Sequence, residues 1–244
     1  MSDPSSPPVL PRASWPRIGA EALAIVGSIL LAFAIDAWWD GLQETARQRS
    51  ELENLAGDFG QAREELLEKR YFHSLIASSA REAGSRLATA GSEEVVPIPD
   101  TLVLAVLSLP TLDIANATLE ELEMAADISA IEDPVLRSAL VAWPRVVRDV
   151  FNEEATSQRL TEGRLIPLLR EAADLTPAWE RFQGWVDRHA RGTPETRVRV
   201  AIPTRNSELL RNLLAERTHH EVATVAVLDR SVAHVDSILT LLQR

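Results

Sequence analysis

The sequence predicts an all-α fold, an N-terminal transmembrane helix that continues into a bundle of long helices. Three observations carry that prediction. Ile18 to Ala37 is an apolar run closed by the pair Trp38-Trp39. Beyond Leu42, apolar residues recur at steps of three and four, the period of one helix face. Helix start signals, a capping residue followed by proline or an acid, stand before several of these stretches. The chain then divides into a disordered tail (1–17), a transmembrane helix (18–39) and an extracytoplasmic α-helical bundle domain (40–244).

Composition narrows the function classes. Apolar residues make up 45% of the chain, as in a globular protein. A formal charge of −11 argues against nucleic acid and against an anionic lipid surface as partners. Lys69 is the only lysine; the other basic residues are Arg. There is no cysteine, which excludes disulfides, zinc–thiolate sites and thiol catalysis. No pattern calls for a cofactor.

Taken in order, the tail Met1 to Arg17 is rich in Pro and Ser and cannot form a packed element. The next segment has fourteen uncharged residues between Glu21 and Asp36. Extending it to Ile18 and Ala37 gives the roughly 20 residues that a span of about 30 Å requires, with both acids near the ends. Its strongly apolar residues favour insertion by about 3–5 kcal/mol in total, against about 2.5–3.5 kcal/mol for one charge at the helix centre. Trp38 and Trp39 suit the aromatic belt at the far interface. The anchor is thus marked by Ile18, Glu21, Ser28, Asp36, Trp38 and Trp39. A rival reading is a cleaved signal peptide, because Ala32-Phe33-Ala34 matches the small-residue cleavage pattern. Against it, apolar character continues through Ile35. The short tail with Arg12 and Arg17 is more easily left in the cytoplasm, so the bulk is expected outside. Ala20, Ala24, Ser28 and Ala32 recur every four residues, a row along which two helix backbones can approach.

From Leu42 to about Ala90 the seam Leu52, Leu55, Phe59, Ala62, Leu66 predicts a helix. It continues through Ile76, Ala80, Ala83 and Leu87, with Lys69 and His73 on the same seam weakening a strict coiled-coil reading. Gly91 to Pro99 reads as a loop. Thr101 to Leu109 reads as a short apolar helix ended by Pro110. Thr118 with Glu121 forms a capping box for a helix through Ala126. Asp133-Pro134 starts another helix, expected to reach Ala173 with bends at Pro144 and near Pro167. Thr176-Pro177 repeats the signal for Ala178 to Ala190. Thr196 to Ile202 alternates like a strand but has no evident partner, so an extended connector is expected. Asn206-Ser207 opens a last long helix to Leu242, whose apolar face includes Leu210, Leu214, Leu228, Val235 and Ile238. The first and last long helices are expected to pack together.

Four stretches carry a resemblance: Glu21 to Gly27 (EALAIVG), Leu52-x-x-Leu55, Thr118 to Met124 (TLEELEM) and Ile131 to Arg137 (IEDPVLR). In these the chain resembles a bacterial family known only as a domain of unknown function. The resemblance implies a single-pass envelope protein and supplies no catalytic residues.

Candidate chemistry is thin. Glu216-x-x-His219, followed by His220 and Glu221, is the best metal candidate, but a di-iron bundle needs a second Glu-x-x-His and none exists. His220-Glu221 does not continue as a His-Glu-x-x-His zinc pattern. There is no nucleophile elbow and no phosphate-binding loop. Glu153-Glu154 and Glu93-Glu94 read as surface charge rather than a glycosidase pair. Trp143, Trp179 and Trp185 read as core or interface anchors in preference to a ligand pocket. No catalytic residue or metal site is assigned. The expected partners are the lipid bilayer, a second copy through the membrane helix, or another envelope protein. The functional expectation is a binding or scaffolding protein of the bacterial plasma membrane. The alternative is a ligand-sensing bundle acting through a partner membrane protein. An enzyme with an unrecognised site is a third.

Overall fold

The computed structural model describes residues 15–89, 95–114, 127–176 and 199–243, with Leu119, Met124 and Trp179. Its elements are α1 (Trp15–Thr89), β1 (Val95–Pro99), α2 (Asp100–Leu107), α3 (Pro134–Leu160), α4 (Ile166–Ala172), β2 (Arg199–Pro203) and α5 (Ser207–Leu242). The chain falls into two units, Met1–Glu53 and Asn54–Arg244.

In the first unit, α1 turns its large apolar side chains outward. Leu23, Ile25, Val26, Ile29, Leu30, Leu31, Phe33, Ile35, Trp38 and Trp39 are each at least 50% exposed. Further along, Arg47 pairs with Glu51 and Arg49 with Glu53, one helical turn apart.

The second unit is a bundle built on α1, α3 and α5. Arg63 meets Asp236, Arg70 meets Asp229, and His73 meets Glu221, so α5 runs antiparallel to α1. Phe59 packs on Trp143 and His73 faces Glu154, so α3 runs parallel to α1. The expected pairing of the first and last long helices is present.

Each helix contributes a buried row at steps of three and four. On α1 it is Leu55, Phe59, Ala62, Leu66, His73, Ile76, Ala80, Ala83 and Leu87. On α3 it is Leu136, Leu140, Trp143, Val147, Val150, Glu154 and Ser157. On α5, Leu210, Leu214, Arg217, Glu221, Thr224, Leu228, Ser231, Val235 and Ile238 follow the same rhythm. This spacing keeps one face of each helix toward the common axis. Full burial of each Leu, Val or Ile stabilises by about 1.5–3 kcal/mol, with the extended-chain reference making that an upper figure. Trp143 is fully buried, edge-on to Phe59 at 5.4 Å and stacked on His234 at 6.2 Å. His234 Nε2–H donates to the Ala139 carbonyl at 2.9 Å, which fixes that ring.

One end of the bundle is closed by a second apolar layer. Val96 and Ile98 of β1, Val200 and Ile202 of β2, and Val103 and Val106 of α2 pack with Leu87, Leu160, Leu165, Leu169 and Leu210. Both strands read x-Val-x-Ile-Pro with the same alternation of exposed and buried residues. They pair antiparallel, with Pro97 opposite Ala201.

Several elements differ from expectation. Val95–Pro99 is a strand rather than part of a loop, and Arg199–Pro203 is its partner rather than a connector. Pro97 and Pro99 remove ladder donors, which a two-stranded ribbon tolerates because each strand is an edge. The helix begun at Pro134 does not merely bend near Pro167. It passes through a π turn, Thr161–Leu165, in which the Ile166 N–H reaches the Thr161 carbonyl. The extra residue lies just ahead of Pro167, which has no N–H to continue the regular ladder. The helix then ends at Ala172, with Ala173 extended. The N-cap is as expected: Asp133 accepts from the Val135 and Leu136 N–H groups at 2.7 and 3.3 Å. α2 ends at Leu107, two residues before the expected limit. The Thr118–Glu121 box and the helix Ala178 to Ala190, with Trp185, lie outside the described residues.

A buried polar layer as the candidate functional site

Halfway along the bundle the apolar rows are interrupted at one level on all three helices. His73 comes from α1, Glu154 and Ser157 from α3, and Arg217 and Glu221 from α5; none is more than 8% exposed. Five polar side chains in one buried layer need partners, because an unpaired buried charge is strongly unfavourable.

Most of the partners are inside the layer. His73 Nδ1–H donates to Glu221 Oε2 at 2.5 Å. The other Glu221 oxygen, Oε1, forms an ion pair with Arg217 at 2.9 Å and accepts from the Ser157 hydroxyl. Arg217 also donates to the Ser157 side chain, to the Ser157 carbonyl at 3.2 Å and to the Ser108 carbonyl at 2.6 Å. Glu154 Oε2 accepts from the Leu112 N–H at 3.1 Å. Arg217 and Glu154 thus hold both ends of the Ser108–Leu112 segment against the bundle.

The electrostatics follow from this geometry. Burial pulls the His73 imidazole down, but the nearby Glu154 carboxylate and the hydrogen bond to Glu221 outweigh it and leave the group raised above its usual value. For Glu221, burial acts upward, while hydrogen bonding to His73 and the Arg217 charge act downward and prevail. Arg217 is lowered by burial, which the Glu221 charge opposes. Two carboxylates, a guanidinium and an imidazolium sum to zero. The layer is balanced when His73 carries its proton.

The chemistry open to this arrangement is limited by its order. Ser157 is bonded to Glu221, and Glu221 stands between it and His73. The imidazole therefore does not reach the hydroxyl as a general base would have to. The two ring nitrogens of His73 face opposite carboxylates instead of converging with them, and among the described residues no group of three His, Cys, Asp or Glu is placed to hold a metal.

The residues singled out in the sequence lie elsewhere. Glu216 pairs with Arg164 at 3.0 Å, and His219 is exposed with its ring against His220. Ser28, Ala32, Asp36, Trp38 and Trp39 are exposed on α1. Ile18, Ala20, Glu21 and Ala24 belong to that helix, their side chains outside the described set. Trp143 is a core anchor, and Trp179 is half-buried against the apolar layer. Reading Glu153-Glu154 as surface charge fails for Glu154, which is buried in the polar layer. Compared with protein-family models, curated proteins and solved structures, the chain matches none. The structure itself establishes the fold class: packed long helices, an N-terminal apolar helix and, among the described residues, one two-stranded ribbon.

Proposed function

We propose that this chain is a membrane-anchored scaffold of the bacterial envelope, with α1 crossing the plasma membrane and the bundle outside the cytoplasm. One observation carries the reading. Among the described residues a single helix segment, Ile25–Gln43, is long and apolar enough to cross a membrane, and none of it is buried by protein. Ten large apolar side chains in water would be a severe liability; in lipid they are at home.

A scaffolding role is favoured over ligand sensing by the interior of the bundle. The cavity in its polar layer holds about 10 Å³ and the one in its apolar layer about 20 Å³. Ligand pockets for organic molecules run to about 300–1,000 Å³. A larger space, about 540 Å³ beside Gln61, Glu64, Glu65, Leu67 and Glu68 of α1, is wide open and lies outside that interior.

Carbonate extraction of bacterial membranes containing the full chain, followed by intact-mass measurement, tests the anchor. The expected result is an uncleaved polypeptide in the carbonate-resistant pellet. A chain beginning at Ile35, or one that washes off, contradicts it.

A further inference from the structure

Three atoms of the polar layer lack a hydrogen-bond partner among the described residues: His73 Nε2, Glu154 Oε1 and Arg217 Nε. Their residues line one small cavity together with Pro110, Thr111 and Gln158. His73 Nε2 and Glu154 Oε1 are 3.5 Å apart, too long for a good direct bond. The side chains of all three residues are at least nine-tenths buried.

We propose that this cavity is a binding site for one water molecule, held by His73 Nε2, Glu154 Oε1 and Arg217 Nε as a fixed part of the bundle. The donor set selects the guest. Guanidinium Nε–H donates and the carboxylate oxygen accepts, while His73 Nε2 donates when the ring is protonated and accepts when it is neutral. The guest must both accept and donate. Water does both, and buried waters usually make about three hydrogen bonds. Chloride cannot donate to Glu154, and ammonium cannot accept from His73 or Arg217. The volume agrees: about 10 Å³ is room for one water-sized sphere and no organic solute. Thr111 and Gln158 are exposed, so this cavity wall reaches the protein surface and the guest has a short route in. The bound water bridges His73 to Glu154, and so joins the Glu154–Leu112 contact to the Arg217–Glu221–His73 cluster as one network.

Crystals of the full chain in detergent, one set soaked in sodium bromide, decide the matter at a resolution that shows ordered water. The expected result is a single oxygen peak about 2.7–3.2 Å from all three atoms, with no anomalous bromide signal there. In Glu154→Met, which removes the acceptor and fills the space, the peak should vanish while the His73–Glu221 bond persists. A bromide peak at the site overturns the proposal. So does a direct Nε2–H to Glu154 bond with the cavity closed, or an absence of density between the three atoms in the wild type. A peak that survives in Glu154→Met also overturns it.

Discussion

His73 and Glu221 lie 148 positions apart in the chain, yet Nδ1 of one and Oε2 of the other are 2.5 Å apart at the centre of the bundle. The contact ties α1 to α5 and sets the level at which the polar side chains of all three helices meet. Its strength depends on the imidazole being protonated and the carboxylate ionised.

That dependence gives stability a signature in pH. The His73 group is raised in the folded state, so its contribution is complete below about 6.5, its unfolded value, and is lost as pH rises through the folded value. Glu221 is lowered, so its contribution is complete above about 4.5 and is lost as pH falls through the folded value. Urea midpoints measured across pH should therefore decline as pH rises above about 6.5. In His73→Gln that decline should flatten; an unchanged slope would show that another group causes it.

Two ion pairs of the bundle, Arg217–Glu221 within α5 and Arg70–Asp229 between α1 and α5, should differ greatly in worth. Arg217→Met leaves Glu221 buried without its guanidinium and should cost about 3–5 kcal/mol of unfolding free energy. Arg70→Ala breaks the pair with Asp229, about half exposed on both sides, and should cost about 0–1 kcal/mol. Denaturant titration of the two variants side by side measures the ratio. Equal losses would mean that the polar layer is solvated.

Trp143→Ala removes the largest fully buried side chain and should cost about 3–5 kcal/mol. Trp143→Phe keeps an aromatic body and should cost clearly less. Thermal unfolding followed by circular dichroism orders the two, and the reverse order would place Trp143 outside the core.

At the start of α3, Asp133→Ala removes the acceptor for the Val135 and Leu136 N–H groups. A loss of about 1 kcal/mol is expected, with Asp133→Asn close to wild type. Similar losses in both variants would assign the effect to charge rather than to the cap.

Much of the bundle was legible because local physics and tertiary packing agree in it. The seam on α1, the Asp133-Pro134 start and the α5 face each state a helix in side-chain period and capping chemistry. The strands were hidden for the opposite reason. Pro97 and Pro99 speak against a strand, and the partner of Arg199–Pro203 lies about a hundred residues upstream, where no local pattern reaches. The polar layer was half visible. His73 stands on the α1 seam, but as a lone exception it weakens a packing argument instead of marking a site. On α5, Glu221 follows Arg217 at the step of four that the apolar residues use, and such charged residues ordinarily signal a solvated face. Only the meeting of three helices shows that these exceptions satisfy one another.

The natural absence of cysteine offers the most direct test of the account, since any introduced thiol is the sole target for labelling. Ser5→Cys marks the N-terminal tail and Ser237→Cys an exposed position on α5. Both full-length variants are treated with a membrane-impermeant maleimide, first in intact spheroplasts and then after lysis. An anchored chain with an exported bundle predicts that Ser237→Cys is labelled in intact spheroplasts, and Ser5→Cys only after lysis. Labelling of both positions before lysis, or of neither, would contradict the transmembrane reading, and the reversed pattern would contradict the orientation.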